Sequence, residues 1–158
     1  MTPEERLGRV LGERGLTLAV AESCTGGLIS ARITDVAGAS AYFLAGLVTY
    51  SNGAKERMLS VPPDLLGAKG AVSPEVARAM ARGVRAVAGA DLGLSITGIA
   101  GPGGGTEAKP VGTVYMALSA GTDCLVRHYR LEGDRASVRR KAVGEALSLV
   151  LDYLEGRL

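Results

Sequence analysis

Apolar residues along this chain fall into short unbroken runs and longer periodic stripes, in alternation. Thr2-Pro3-Glu4-Glu5 has the form of a capping box with proline at the first helical position. The helix it opens is expected to end at Gly15. Leu16-Thr17-Leu18-Ala19-Val20-Ala21 then reads as a buried strand, and a helix is expected over 25–37. Ala45-Gly46-Leu47-Val48-Thr49-Tyr50 reads as a second strand. A short helix follows with Asn52 as its cap, and Pro62-Pro63 opens a connecting segment. Ser73-Pro74-Glu75 starts a helix to about 88, with Val76, Met80, Val84 and Val87 on one stripe. Asp91 to Thr97 is a third strand, and Gly98 to Pro110 a glycine-rich loop. Val111–Ala120 and Cys124–Leu131 form a hairpin about Gly121-Thr122-Asp123. Asp134 caps a final helix to about 155, striped by Val143, Leu147, Val150 and Leu154.

Helices that alternate with three strands, followed by a hairpin and a helix, predict one three-layer α/β/α domain over 1–158. Its sheet is expected to be mixed and mostly parallel. In such sheets ligands bind beyond the carboxyl ends of the parallel strands. Three segments meet there: Ser23 with its neighbours, Tyr50 to Lys55, and Gly98 to Gly105.

Composition narrows the function. The chain has 158 residues, 47% hydrophobic but only 4% aromatic, so Ala, Val, Leu and Ile must build the core. A net charge of +2 and few rings for base stacking argue against nucleic acid as a partner. Cys24 and Cys124 are far apart and form no CxxC pair. Neither a signal-peptide pattern nor a membrane-spanning run is visible, so a cytoplasmic protein away from membranes is expected. The single His128 excludes a multi-histidine metal site and reads as an ordinary strand residue.

Four segments carry candidate chemistry. Glu22-Ser23-Cys24-Thr25-Gly26-Gly27 lies between strand and helix, where free N–H groups and a hydroxyl come together. Ser23 there is either a helix cap or a nucleophile beside an oxyanion site. In Tyr50-Ser51-Asn52-Gly53-Ala54-Lys55, the lysine falls in the first turn of a helix. The dipole opposes a cation there by ~0.3–1 kcal/mol, and burial would lower its pKa further. A neutral amine can take the proton of a serine hydroxyl. Thr97-Gly98-Ile99-Ala100-Gly101-Pro102-Gly103-Gly104-Gly105 matches neither a Walker loop nor a dinucleotide fingerprint, but its glycines permit close backbone approach to a ligand. Arg135, Arg139, Arg140 and Lys141 crowd the start of the last helix, where the dipole favours an anion instead. Arg139 could hold an anion or pair with a protein acid such as Glu22 or Asp35; for Arg140 the ion pair is the better reading. Cys24, with no histidine beside it in sequence, reads as a small buried residue.

Further blocks complete a series in fixed order: Gly70-Ala71-Val72-Ser73, Ser95-Ile96-Thr97-Gly98, Lys109-Pro110-Val111-Gly112-Thr113-Val114 and Gly133-Asp134-Arg135. With the segments around Ser23 and Lys55, this series resembles the CinA C-terminal domain family over nearly the whole chain. That family includes nicotinamide mononucleotide (NMN) amidohydrolases. The resemblance implies a serine amidohydrolase that needs no metal or organic cofactor and works as a homodimer. It implies Ser23 as nucleophile, Lys55 as its base, and Tyr50 in the same pocket. It implies that Thr25, Gly26, Thr97, Gly98 and Gly101 hold the nucleotide with an arginine of the last helix, taken as Arg135 or Arg139. A different reading, a nucleotide-binding or competence-related module without hydrolysis, stands beside it, as does an amidase for another carboxamide.

Overall fold

The computed structural model describes residues 1–158. Five strands, β1 (Leu18–Glu22), β2 (Phe43–Val48), β3 (Leu92–Gly98), β4 (Thr113–Ala120) and β5 (Asp123–Arg130), form one sheet in the order β2-β1-β3-β4-β5. β1 pairs in parallel with both β2 and β3, while β4 is antiparallel to β3 and to β5. Four strands therefore point one way and β4 runs against them. Six helices cover the sheet: α1 (Pro3–Arg14), α2 (Leu28–Thr34), α3 (Asn52–Leu59), α4 (Pro63–Lys69), α5 (Pro74–Ala88) and α6 (Arg135–Leu154). The expected three-layer α/β arrangement is the one observed.

The two faces differ in what they bury. Leu18 and Val20 of β1 and Leu92, Leu94 and Ile96 of β3 pack with α1, α2 and α6. Ala19 and Ala21 of β1 turn to the other face and meet Leu59, Leu66, Val76, Met80 and Val84 of α3, α4 and α5. The helical stripe of Val143, Leu147, Val150 and Leu154 is buried along its length. No helix is long and apolar enough to cross a membrane.

Sequence signals at helix ends hold with small displacements. Thr2 and Glu5 close the capping box of α1, and Gly15 takes the left-handed conformation (φ 64°) that ends it. Ser73 and Asp134 cap α5 and α6 through Val76 and Ser137 N–H. Other expectations shift: β2 spans Phe43–Val48 rather than 45–50, and α2 ends at Thr34 rather than at 37. α2 begins only at Leu28, because Gly26 (φ 59°) and Gly27 (φ 107°) hold a turn that a right-handed helix cannot pass through. Ser51, not Asn52, caps α3, its hydroxyl accepting from Ala54 N–H. Pro63 stands at the first position of a helix, α4, where a connecting segment was expected; a proline needs no N–H donor there. Val87 is 62% exposed in the last turn of α5, although it shares the stripe of Val76, Met80 and Val84.

The connections explain where a site can form. β1 leads to β2 on one side through α2, and β2 leads back past β1 to β3 through α3, α4 and α5 on the opposite face. The direction of winding reverses between β1 and β3. That reversal opens a crevice at the carboxyl ends of these strands. Because β4 is reversed, the loop entering it lies at the same end, and the carboxyl end of β5 delivers the start of α6 there as well.

Candidate active site

Ser23 is the residue after the last one of β1, and its own N–H still bonds to Ile96 of β3 at 3.1 Å. It is 8% exposed. Alternation along β1 sends Glu22 toward α2 and Ser23 toward the α3–α5 face. Lys55, the fourth residue of α3, comes from that face with its whole side chain buried.

Lys55 Nζ lies 2.9 Å from Ser23 Oγ, 2.8 Å from Thr49 O and 3.2 Å from Tyr50 O. No carboxylate shares this pocket with it. Burial therefore pulls the ammonium down from the ordinary lysine range to about 8. In its neutral form the amine has two N–H groups and a lone pair. The two carbonyls take the N–H groups, and the lone pair is left to accept the Ser23 hydroxyl proton. Thr49 is fully buried, and its Oγ1 has no hydrogen-bond partner.

Glu22 shapes the turn that carries the serine. Its carboxylate is fully buried and accepts from Thr25 Oγ1 (2.7 Å), Gly27 N (3.2 Å), Ile29 N (3.0 Å), Ser30 N (2.9 Å) and Ser30 Oγ (2.7 Å). The three N–H groups are ones that the start of α2 leaves free, and the positive end of the helix dipole adds to the attraction. Glu22 thus pairs with no arginine. Its signal in the sequence was a carboxylate ending an apolar strand directly before a serine, which called for a buried set of donors.

Arg139 approaches from α6 and pairs with neither Glu22 nor Asp35. Nε donates to Cys24 O at 3.0 Å and Nη2 to Thr25 O at 3.1 Å. A trans peptide points its C=O and N–H in opposite directions. Holding the Cys24 carbonyl therefore aims the Thr25 N–H away from the guanidinium. Within the turn, the N–H of Gly26 bonds to Ser23 O and that of Gly27 to Glu22, whereas those of Cys24 and Thr25 have no acceptor in the protein. Two adjacent N–H groups beside a serine hydroxyl are the elements of an oxyanion site.

The remaining candidates divide. Tyr50 OH and Gly101 O both bond to Arg135, at 3.2 and 2.8 Å, so this arginine joins the β2–α3 segment, the glycine loop and α6. Thr25 is fully buried with its hydroxyl on Glu22, which leaves its backbone N–H as its contribution. Thr97 donates to Ala71 O at 2.8 Å and so ties β3 to the segment before α5. A cleft of about 230 Å³ lined by Ala71, Val72, Ile99 and Thr106 adjoins that contact. Gly98 permits a close approach: a Cβ there would sit 2.7 Å from Val114 Cγ2 and 3.2 Å from Cys24 Sγ. Cys24 is buried, and desolvation raises its thiol to about 11, so it is protonated at neutral pH and a poor nucleophile. Arg140 is exposed and reaches only Ser137 Oγ, at 3.3 Å; no acid pairs with it. His128 stacks on Tyr115 across β4 and β5, with ring centroids 4.5 Å apart.

Residues 1–154 match the CinA C-terminal domain family. The chain belongs to that family. It is 59% identical to a CinA-like protein of Geobacter sulfurreducens over 157 residues, which is 99% of this chain but 37% of that protein. The chain thus spans a little over a third of the length of curated relatives such as this one. Among solved structures, the competence damage-inducible protein A of Klebsiella pneumoniae superposes with a TM-score of 0.94 at 35% identity, covering 97% of this chain and 95% of that one. A competence/damage inducible protein from Agrobacterium tumefaciens gives 0.90 at 40% identity, covering 98% and 97%.

Proposed function

We propose that this CinA domain is a serine amidohydrolase that converts nicotinamide mononucleotide to nicotinate mononucleotide and ammonia. One observation carries the reading: a fully buried lysine, lowered to about 8, lies 2.9 Å from the hydroxyl of Ser23. A buried cation without a carboxylate is costly to keep, and general-base work explains its retention.

In the proposed reaction, neutral Lys55 takes the proton of Ser23 as Oγ attacks the carboxamide carbon. The N–H groups of Cys24 and Thr25 receive the developing oxyanion. Lys55, now an ammonium, gives its proton to the amide nitrogen, and the C–N bond breaks to release ammonia. A water then attacks the acyl-enzyme while Lys55 accepts its proton. Ser23 Oγ leaves and is reprotonated by Lys55. Arg135, Tyr50 and the Thr97–Gly101 segment hold the nucleotide, with the unused Nη1 of Arg139 as a further donor. The homodimer implied by the resemblance would form through β2, an edge strand whose residues Phe43–Val48 carry no charge; light scattering after gel filtration reads the mass.

Ammonia release from nicotinamide mononucleotide is the test, with Ser23→Ala beside the wild type. Release by the wild type alone supports the reaction and its nucleophile. The relatives' names mention competence and damage and no hydrolysis, and a second reading is a competence-related module that binds a nucleotide without hydrolysing it. Saturable binding of the mononucleotide with no ammonia from the folded wild type would establish that reading instead.

A further inference from the structure

At the opposite end of the sheet from Ser23 lies a cleft of about 420 Å³, formed where α5 ends beside the β4–β5 turn. β3 alone separates the two ends by seven residues, about 20 Å of extended chain. The cleft's walls include Arg82, Arg85, Ser119, Thr122 and Asp123. Nothing in the amidohydrolase reading uses any of them.

Three features single out this cleft. Arg82 has no carboxylate partner, and it stands one helical turn from Arg85 on the same side of α5. Arg85 is already fixed: Nε donates to Ala90 O (3.4 Å) and Nη1 to Gly121 O (2.7 Å), so Nη2 remains free on an immobilised fork. Ser119 is 4% exposed, pairs in register with Gly93 and Cys124 under α5, and lines the cleft. Its hydroxyl has no partner within the protein. A hydroxyl with no acceptor of its own, in a wall shared with two guanidinium groups, leaves three sets of donors for a ligand that carries negative charge.

We propose that this cleft is a second anion site and that its ligand is a phosphate group, free or as a monoester. Donors come from separate directions, two from α5 and one from the sheet floor. That arrangement fits the tetrahedral oxygens of phosphate better than a planar carboxylate. Asp123 and the carboxyl end of α5, the negative pole of its dipole, are the opposing charges on the wall. Without Asp123 the anion would be held more strongly, so this aspartate sets the affinity low and makes occupancy follow the concentration of the ligand.

The test is a titration of the isotopically labelled full chain with inorganic phosphate and, separately, methyl phosphate, followed through the amide resonances of Gly121 and Thr122. Both probes should give saturable shifts at these two positions. Arg82→Ala should abolish the shifts, Ser119→Ala should weaken binding at least fivefold, and Asp123→Asn should tighten it several-fold. The spectra of the unliganded variants verify that each remains folded. Saturation by methyl phosphate as well as phosphate assigns the site to monoesters; phosphate alone assigns it to the free ion. The proposal is overturned if neither probe saturates, if the shifts survive in Arg82→Ala and Ser119→Ala, or if Asp123→Asn weakens binding.

Discussion

Arg139 Nε donates to the carbonyl of Cys24 at 3.0 Å, and this contact fastens the last helix to the turn that presents Ser23. The bond is made to backbone, so its effect passes to the Thr25 N–H on the other side of the same peptide. Replacing Arg139 by Gln removes the fork and frees that peptide to rotate. Losing one oxyanion donor typically costs 10²–10³ in turnover, so Arg139→Gln should lower kcat by roughly that factor. A change confined to KM would place Arg139 on the substrate's phosphate only. Steady-state ammonia release separates the two.

Glu22 offers the second test. Five donors surround its carboxylate, and a glutamine in its place would turn an NH₂ group toward some of them. Hydrogen bonds to a charged group contribute ~1.5–3 kcal/mol each, and one or more would be lost. Glu22→Gln should therefore destabilise the fold by about 3 kcal/mol. In a chain of this size that is a fall of roughly 6–12 °C in Tm. Calorimetry checks it. An unchanged Tm would mean that the turn at Ser23–Gly27 does not depend on the carboxylate charge.

Gly98 tests how closely β3 must pass the Ser23 turn. A methyl there would stand 2.9 Å from Thr113 O and 3.2 Å from Cys24 Sγ, and the carbonyl cannot yield without disturbing β4. Gly98→Ala should cost about 2 kcal/mol, within the usual range for overpacking. It should also reduce turnover at a temperature where the variant is still folded, since Cys24 adjoins Ser23. Equal denaturation midpoints for variant and wild type would contradict this.

The sequence was most informative where a local rule decides the outcome. Thr2 and Glu5, Gly15, Ser73-Pro74 and Asp134 mark helix ends because capping depends on a few neighbouring residues. Ser23 and Lys55 could be singled out because both follow strands whose carboxyl ends gather at one edge of the sheet. What they form together, a 2.9 Å contact in a buried pocket, is a tertiary fact. The roles of Glu22 and Arg139 were hidden for a related reason. Arg139 binds two backbone carbonyls and Glu22 three backbone N–H groups beside two hydroxyls, and backbone groups carry no residue-specific signature. An acid and a base near one another invited an ion pair, whereas the fold gave each a separate set of peptide partners. α4 was obscured by Pro62-Pro63, which breaks a preceding helix as readily as it opens a new one.

Lys55 links activity and stability through one proton. With the folded ammonium at about 8, turnover should rise with pH through that value and level off as the amine becomes neutral. Stability should follow the same group. The unfolded chain keeps its lysine protonated up to the ordinary value of 10.5, so between about 8 and 10.5 the unfolded state binds more protons than the folded state. Stability then rises with pH across that window, and the cost of burying the charge is present in full below it. Lys55→Met removes the group and with it this slope. Urea denaturation of wild type and Lys55→Met at several pH values from 7 to 10.5 should therefore show the difference in stability moving in favour of the wild type as pH rises. A difference that stays constant with pH would mean that the folded lysine titrates like an exposed one, and the argument for Lys55 as a neutral base would fall with it.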